Sequence, residues 1–354
     1  MEALQPVSKC QKMSPYTIDD LPDELILLVV SFLNVKEIIK CGQVSKRIRS
    51  ICSDETIWQK VNLYNKIVPV KFLIHLIDNK CKYLSLLRSK ICIFKLYGSP
   101  MKLNQYCELK VLDLGYCNAD YQVVEELLSS CHSLENLSMK GYTLNSKIIE
   151  ALSLKNGKTM KVLNLSSCKG LVLESIQLIV RNCLELRELN LEYTNLSNES
   201  ISLLSNELTT KIEKLSLNWL KIVKDEHIVA IVNRCKNLIT LDLAFNSITN
   251  LSLNSIVENL RPTLEELDVN YTKVTFEKVL ELRSMEKIRI LNFWKSNHYP
   301  YEAMNLKKLL NLRINHNSST VQVADSNSSA KPKEMFWKIK AKQLPLFQAN
   351  PVKK

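Results

Sequence analysis

Glycine is scarce in this chain, six residues in 354, and none of them falls in the Gly-rich spacing of a phosphate-cradling loop. Histidine is nearly as rare, at five. None stands at ligand spacing from a cysteine, and there is no C-x-x-C pair, so neither a zinc site nor a clustered acid, base and nucleophile is expected. Long apolar runs are also missing. The longest, Leu25 to Val30 with Phe32 and Leu33 beyond it, is far short of the roughly 20 residues that span a bilayer. The opening residues, MEALQPVSKCQKMS, lack the apolar core of a signal peptide. These absences predict a soluble intracellular chain with no catalytic residue, metal, cofactor or membrane partner.

What is abundant is a recurring phrase. It reads Leu109-x-x-Leu112-x-Leu114-x-x-Cys117 and returns from Leu134, Met160, Leu186, Ile212, Leu238 and Leu264, at intervals of 25, 26, 26, 26, 26 and 26 residues. Looser copies start at Ile91, Ile288 and Leu309, giving about ten. This is a leucine-rich repeat. In a strand the fourth and sixth residues of each phrase point one way and the third, fifth and seventh the other. One unit cannot bury its own apolar face, so neighbours must stack. Each strand is followed by a stretch of helical period, such as Asn198 to Leu208 with Ile201, Leu204 and Leu208 on one side. The expected fold is therefore an α/β solenoid, a horseshoe with parallel strands inside and helices outside.

The eleven cysteines follow the same register: Cys117 and Cys168 fill the ninth slot, while Cys131, Cys183 and Cys235 each lie three residues before a phrase. Their number is odd, and packing explains them better than disulfides. The net charge of +12 divides unevenly. Residues 331–354 carry +6 and residues 62–105 carry +7, but residues 106–330 hold 25 basic and 26 acidic side chains. A repeat surface that is close to neutral argues against a solenoid that grips a phosphate backbone, so no nucleic-acid partner is expected.

Ahead of the repeats, residues 17–61 suggest three short helices too apolar to stand comfortably alone. Leu21-Pro22-Asp23-Glu24-Leu25, Cys41 with Val44-Ser45-Lys46-Arg47, and Asp54-Glu55-Thr56-Ile57-Trp58 resemble an F-box, the helical module that docks on the adaptor subunit of cullin-RING ubiquitin ligases. The resemblance implies that Leu21, Pro22, Leu25, Phe32, Ile38, Cys41, Val44 and Trp58 form or support the adaptor-binding face. Through the adaptor it implies cullin and RING partners. An F-box followed by cysteine-bearing repeats is similar to the F-box and leucine-rich-repeat substrate receptors of the S-phase kinase-associated type. For those proteins the resemblance implies a nuclear and cytoplasmic role in cell-cycle control. It also implies a phosphorylated protein substrate held jointly with a small cyclin-dependent-kinase regulatory subunit. The bland alternative is a leucine-rich-repeat scaffold or inhibitor whose helices merely cap the array.

The domain boundaries expected are a flexible lead at 1–16, the F-box at 17–61, a helical linker at 62–90, the repeats at 91–317, and a linker with a basic tail at 318–354. Aromatic residues occupy the eighth slot five times, at Tyr116, Tyr193, Trp219, Phe245 and Tyr271. With the outward-facing Glu188, Glu192, Asp242, Glu266, Asp268 and Trp294 they are the expected substrate-binding surface, since aromatic side chains anchor protein interfaces. Phe336, Trp337, Lys338 and Lys340 are expected to fold back onto that acidic hollow, as the tail does in the resembled family.

Overall fold

The computed structural model describes residues 17–92 and 107–293, apart from the side chain of Asp19. The chain divides into two compact units, with the boundary between Gln59 and Lys60. In the first, a short turn at Ile18–Asp20 leads into α1 (Asp23–Ser31), α2 (Val35–Cys41), α3 (Lys46–Cys52) and α4 (Glu55–Trp58). Local chemistry sets each start. Asn34 accepts from the amides of Lys36 and Glu37 while Glu37 reaches back to the Asn34 amide, a capping box. Ser45 caps α3 through the Ile48 amide, and Asp54 caps α4 through the Thr56 amide. Ile26, Val30, Ile38, Ile48, Ile51 and Cys52 close the interior, and the buried indole of Trp58 donates to the Cys52 carbonyl at 2.9 Å.

The second unit is the solenoid. Its chain order is β1 (Lys60–Asn62), β2 (Ile67–Pro69), α5 (Val70–Asp78), β3 (Tyr83–Ser85), β4 (Lys90–Cys92), β5 (Val111–Asp113), α6 (Tyr121–Ser130), β6 (Asn136–Ser138) and α7 (Ser146–Glu150). It continues through β7 (Val162–Asn164), α8 (Leu173–Asn182), β8 (Glu188–Asn190), α9 (Asn198–Glu207), β9 (Lys214–Ser216), α10 (Asp225–Arg234), β10 (Thr240–Asp242), α11 (Asn250–Leu260), β11 (Glu266–Asp268), α12 (Phe276–Val279) and β12 (Ile290–Asn292). All strands except β2 and β4 form one parallel sheet in the order β1-β3-β5-β6-β7-β8-β9-β10-β11-β12. Register is strict: Leu112, Leu137, Leu163, Leu189, Leu215, Leu241, Leu267 and Leu291 are successive partners. The first, fourth and sixth positions of the seven regular phrases are all buried. A column of leucines in register, each sealed by the next repeat, is the core.

Two expectations change here. Residues 62–90 contain the expected helix, α5, but they are not a linker ahead of the repeats: Lys60–Asn62 and Tyr83–Ser85 are already strands of the long sheet. The phrase is present there as Val61-x-Leu63 and as Cys81-x-x-Leu84-x-Leu86, with all five residues buried. It was masked by its spacing, since Val61 to Leu84 is 23 residues and Leu84 to Leu112 is 28. Most of the copy at Ile91 lies outside the described residues. Lys90–Cys92 pairs with Ile67–Pro69 in a separate two-stranded sheet, and β3 pairs directly with β5. The sheet still has ten strands among the described residues, but it begins earlier than the phrase count suggests. The lead at 1–16, the copy at Leu309 and the tail at 318–354 lie outside the described residues.

Candidate functional site

In six phrases the fifth slot shapes how the chain leaves the sheet. Asn62, Asp113, Asn164, Asn190, Asp242 and Asp268 each accept, through Oδ1, the amide two residues on, at 2.9–3.1 Å. These are Asx turns. Three residues later the backbone is left-handed: φ is +51° at Tyr116, +73° at Gly141, +59° at Ser167, +56° at Tyr193, +59° at Trp219, +58° at Phe245 and +53° at Tyr271. Asn65 and Arg88 take the same conformation after the two irregular phrases, at +55° and +57°. A bulky residue held there costs on the order of 1–3 kcal/mol.

At four consecutive phrases the residue held in this conformation is aromatic. Tyr193 and Trp219 stack with ring centroids 5.1 Å apart, Trp219 and Phe245 at 4.5 Å, and Phe245 and Tyr271 at 4.3 Å, all within 23° of parallel. Each such pair contributes about 0.5–1.5 kcal/mol beyond its burial, which offsets part of the backbone strain. Tyr193 and Tyr271 remain exposed, while Trp219 and Phe245 are half-buried. The Lys221 ammonium lies 5.5 Å from the centre of the Trp219 ring. Tyr116 stands apart from this ladder, its ring lying over Gly141, where a Cβ would meet it at 2.4 Å. The Lys140 ammonium is 5.9 Å from its centre.

The acidic hollow is less acidic than the residue pattern implies. Asp242 and Asp268 are 6% and 8% exposed. Besides holding its Asx turn, Asp242 accepts from Ser216 and Asn218, and Asp268 accepts from Asn292 at 2.9 Å. Burial pushes both carboxyls up, and the charge of Asp268 pushes Asp242 further. They build the strand ends and are not free contacts, because a fifth-slot carboxylate that caps its own turn is drawn inside the next repeat. Glu188 is paired with Lys214 at 2.9 Å. Burial raises Glu266, with Lys214 opposing the shift. Burial also raises the Tyr193 phenol, with Glu192 adding to it. Glu188, Glu192, Lys214 and Glu266 are half-buried and Lys221 is exposed. Trp294, Phe336, Trp337, Lys338 and Lys340 lie outside the described residues.

On the helical unit the structure sorts the eight expected residues. Leu21, Pro22, Leu25, Phe32 and Val44 are exposed, with Phe32 and Val44 at 77%. Cys41 is half-buried. Ile38 and Trp58, at 5% and 3% exposed, belong to the interior. Leu28, Val29 and Ile39, not singled out from sequence, are exposed too. Their signal was legible: Leu25, Leu28, Val29 and Phe32 follow the i, i+3, i+4, i+7 spacing of one helical stripe, opposite the buried Ile26 and Val30. Arg47 holds the opening of this stripe. Its Nε and Nη2 donate to Asp23 at 2.8 and 2.7 Å, and Nη2 donates to the Leu21 carbonyl at 2.5 Å. Among the described residues no group of three side chains could hold a metal ion, and no helix is long and apolar enough to cross a membrane.

Comparison with known proteins gives two family matches. The family described as the SKP2 LRR domain matches residues 71–344, and the one described as F-box-like matches residues 18–64. A putative F-box protein, L126, of Acanthamoeba polyphaga mimivirus is 38% identical over 60 residues. That segment is 16% of this chain and 24% of the viral protein, so the chain spans about a quarter of that relative's length. Among solved structures, an internalin of Listeria monocytogenes superposes with a TM-score of 0.42 at 18% identity, over 64% of this chain and 58% of the internalin.

Proposed function

The chain belongs to the family of the SKP2 LRR domain and carries an F-box-like module ahead of its repeats, and from that premise we propose that it is a non-catalytic substrate receptor of an adaptor, cullin and F-box ubiquitin ligase. One observation carries the reading. The helical unit closes a core with Ile26, Val30, Ile38, Ile48, Ile51 and Trp58, yet leaves Leu21, Leu25, Leu28, Val29, Phe32, Ile39 and Val44 in solvent. A module of this size with that much apolar side chain outside its core is built to be covered. An adaptor groove that takes the α1 stripe covers it, by the helix-in-groove mode of recognition.

The repeats then hold the cargo. The ladder from Tyr193 to Tyr271 presents rigid aromatic edges along the rim, and its neighbours Glu192, Glu266, Lys214 and Lys221 offer both signs of charge to a polypeptide. Ubiquitin transfer itself falls to the other subunits, since a receptor contributes by positioning. A phosphorylated cell-cycle substrate, a kinase regulatory subunit as co-receptor, and residence in nucleus and cytoplasm are proposed on the family likeness.

Binding of the full chain to the ligase adaptor, beside the double variant Leu21→Ala with Pro22→Ala, tests the reading. The wild type is expected to bind and the variant to lose affinity by a few kcal/mol. If the wild type fails to bind, the helices are a cap and the chain is a repeat scaffold or inhibitor.

A further inference from the structure

Where a helix hands the chain to the next strand, this protein repeatedly places cysteine. Cys131, Cys183 and Cys235 each end a helix, their amides donating to the Leu127, Ile179 and Ile231 carbonyls. Gly157 and Thr209 hold the equivalent position in the intervening repeats, so Cys183 and Cys235 face no thiol on the adjacent turn. Their sulfurs and that of Cys168 are in protein interior. The Cys168 thiol donates to the Met139 carbonyl at 3.0 Å, and the Cys235 thiol lies 3.6 Å from the Thr209 carbonyl.

Cys131 is different, because the preceding turn carries Cys107. The two residues are backbone bridge partners in parallel register. Their sulfurs are 3.2 Å apart, with the Cys131 thiol donating to the Cys107 sulfur, and both side chains are buried. Neighbouring parallel strands lie about 4.8 Å apart, which is inside the Cα separation that a disulfide spans. Forming the bond therefore requires the two sulfurs to close by about 1 Å, given an S–S bond of about 2 Å, without moving a repeat.

We infer that Cys107 and Cys131 are a redox-responsive dithiol that closes to an intrachain disulfide on exposure to hydrogen peroxide. The hydrogen bond gives the two sulfurs separate roles. It stabilises a thiolate at Cys107, which lies below the usual cysteine range, while the same contact and then burial push Cys131 up. The Cys107 thiolate attacks one peroxide oxygen and the O–O bond breaks. Cys107 becomes a sulfenic acid, and the departing hydroxide takes a proton to become water. Cys131 then gives up its proton and attacks the Cys107 sulfur, expelling the hydroxyl as a second water. Two thiols are oxidised, one peroxide is reduced, and the balance closes without a cofactor. The stitch joins the first two regular repeats where the strands begin, at the opposite end from the aromatic ladder, so the proposed cargo rim stays open.

The test is a peptide map of the full folded chain after treatment with hydrogen peroxide and alkylation of the remaining thiols. The expected product links the tryptic peptide 103–110 to the peptide 111–140 through Cys131, with Cys117 in the same peptide still alkylated. The link should appear before any other thiol is consumed and be reversed by dithiothreitol. In Cys131→Ser the linked peptide should vanish, and a dimedone adduct should mark the trapped sulfenic acid on Cys107. The inference is overturned if Cys107 and Cys131 stay alkylatable while other thiols oxidise, or if their link forms only in urea. The wild-type map decides this even if the variant does not fold.

Discussion

At the scale of single residues, the helical unit offers two phenylalanine-or-isoleucine experiments with opposite outcomes. Phe32 is largely in solvent, so Phe32→Ala should leave the unfolding midpoint nearly unchanged while weakening adaptor binding by about 1–3 kcal/mol, the range of an interface anchor. Ile38 is inside, so Ile38→Ala should destabilise the unit by about 2–5 kcal/mol, and adaptor binding should fall only as far as folding does. Chemical denaturation beside a binding titration separates the two. The eighth slot reverses a usual ranking. Because Trp219 has φ of +59°, Trp219→Gly should be more stable than Trp219→Ala by about 1 kcal/mol, although both lose the ring. If alanine proves the better replacement, the left-handed turn is not what that position requires. The aromatic slots could be read from the spacing of the phrase, but their backbone conformation could not, since tyrosine, tryptophan and phenylalanine do not announce a positive φ as glycine does.

At the scale of one strand, the informative feature is the pair of buried carboxyls closing β10 and β11. Their pKa values are raised in the folded chain by burial, and at Asp242 by the neighbouring charge as well. The folded state therefore holds protons that the unfolded chain has already released. This stabilisation is complete below the ordinary aspartate value, about 4, and is lost as pH rises through the raised values. Asp242→Asn keeps an oxygen for the Ala244 amide and removes the charge. It should stabilise the repeats at pH 8 by on the order of 1–3 kcal/mol and do little at pH 4. Urea midpoints of the two chains, measured across that range, check the sign. The alternation of the strand predicts Asp242 and Asp268 on the outward side of the sheet, yet both are buried. What it could not show is that a short side chain at the fifth slot turns back to cap its own strand exit. Glu188 and Glu266 stand in the third slot and Glu192 in the seventh, where no such cap is in reach, and they stay half-buried.

At the scale of the molecule, the repeat register made the solenoid legible from one end to the other wherever the interval was 25 or 26 residues. It failed at β1 and β3, where the interval changed while the buried alternation persisted, so spacing was the weaker guide and the Val61-x-Leu63 and Leu84-x-Leu86 pattern the stronger one. The helical unit was legible through its capping residues and its tryptophan. Which of its apolar residues pointed inward was not, because both faces of α1 are apolar. That ambivalence gives a prediction for the full chain. An adaptor that binds only the folded helical unit should slow amide exchange in α1–α4, by about 2.7 kcal/mol of added protection at a hundredfold excess over Kd. The strands β5–β12 should be unaffected. Exchange mass spectrometry with and without adaptor reads both at once, and protection spread evenly over the chain would contradict docking through the helices alone.

The stacked rim has a further property that belongs to optics. Trp219 sits between Tyr193 on one side and Phe245 on the other, with Tyr271 one ring beyond, so light absorbed by Tyr193 has an indole acceptor 5.1 Å away. The chain thus carries its own fluorophore at the place where cargo is proposed to land. Arrival of a partner there should change the emission of Trp219 with no label attached.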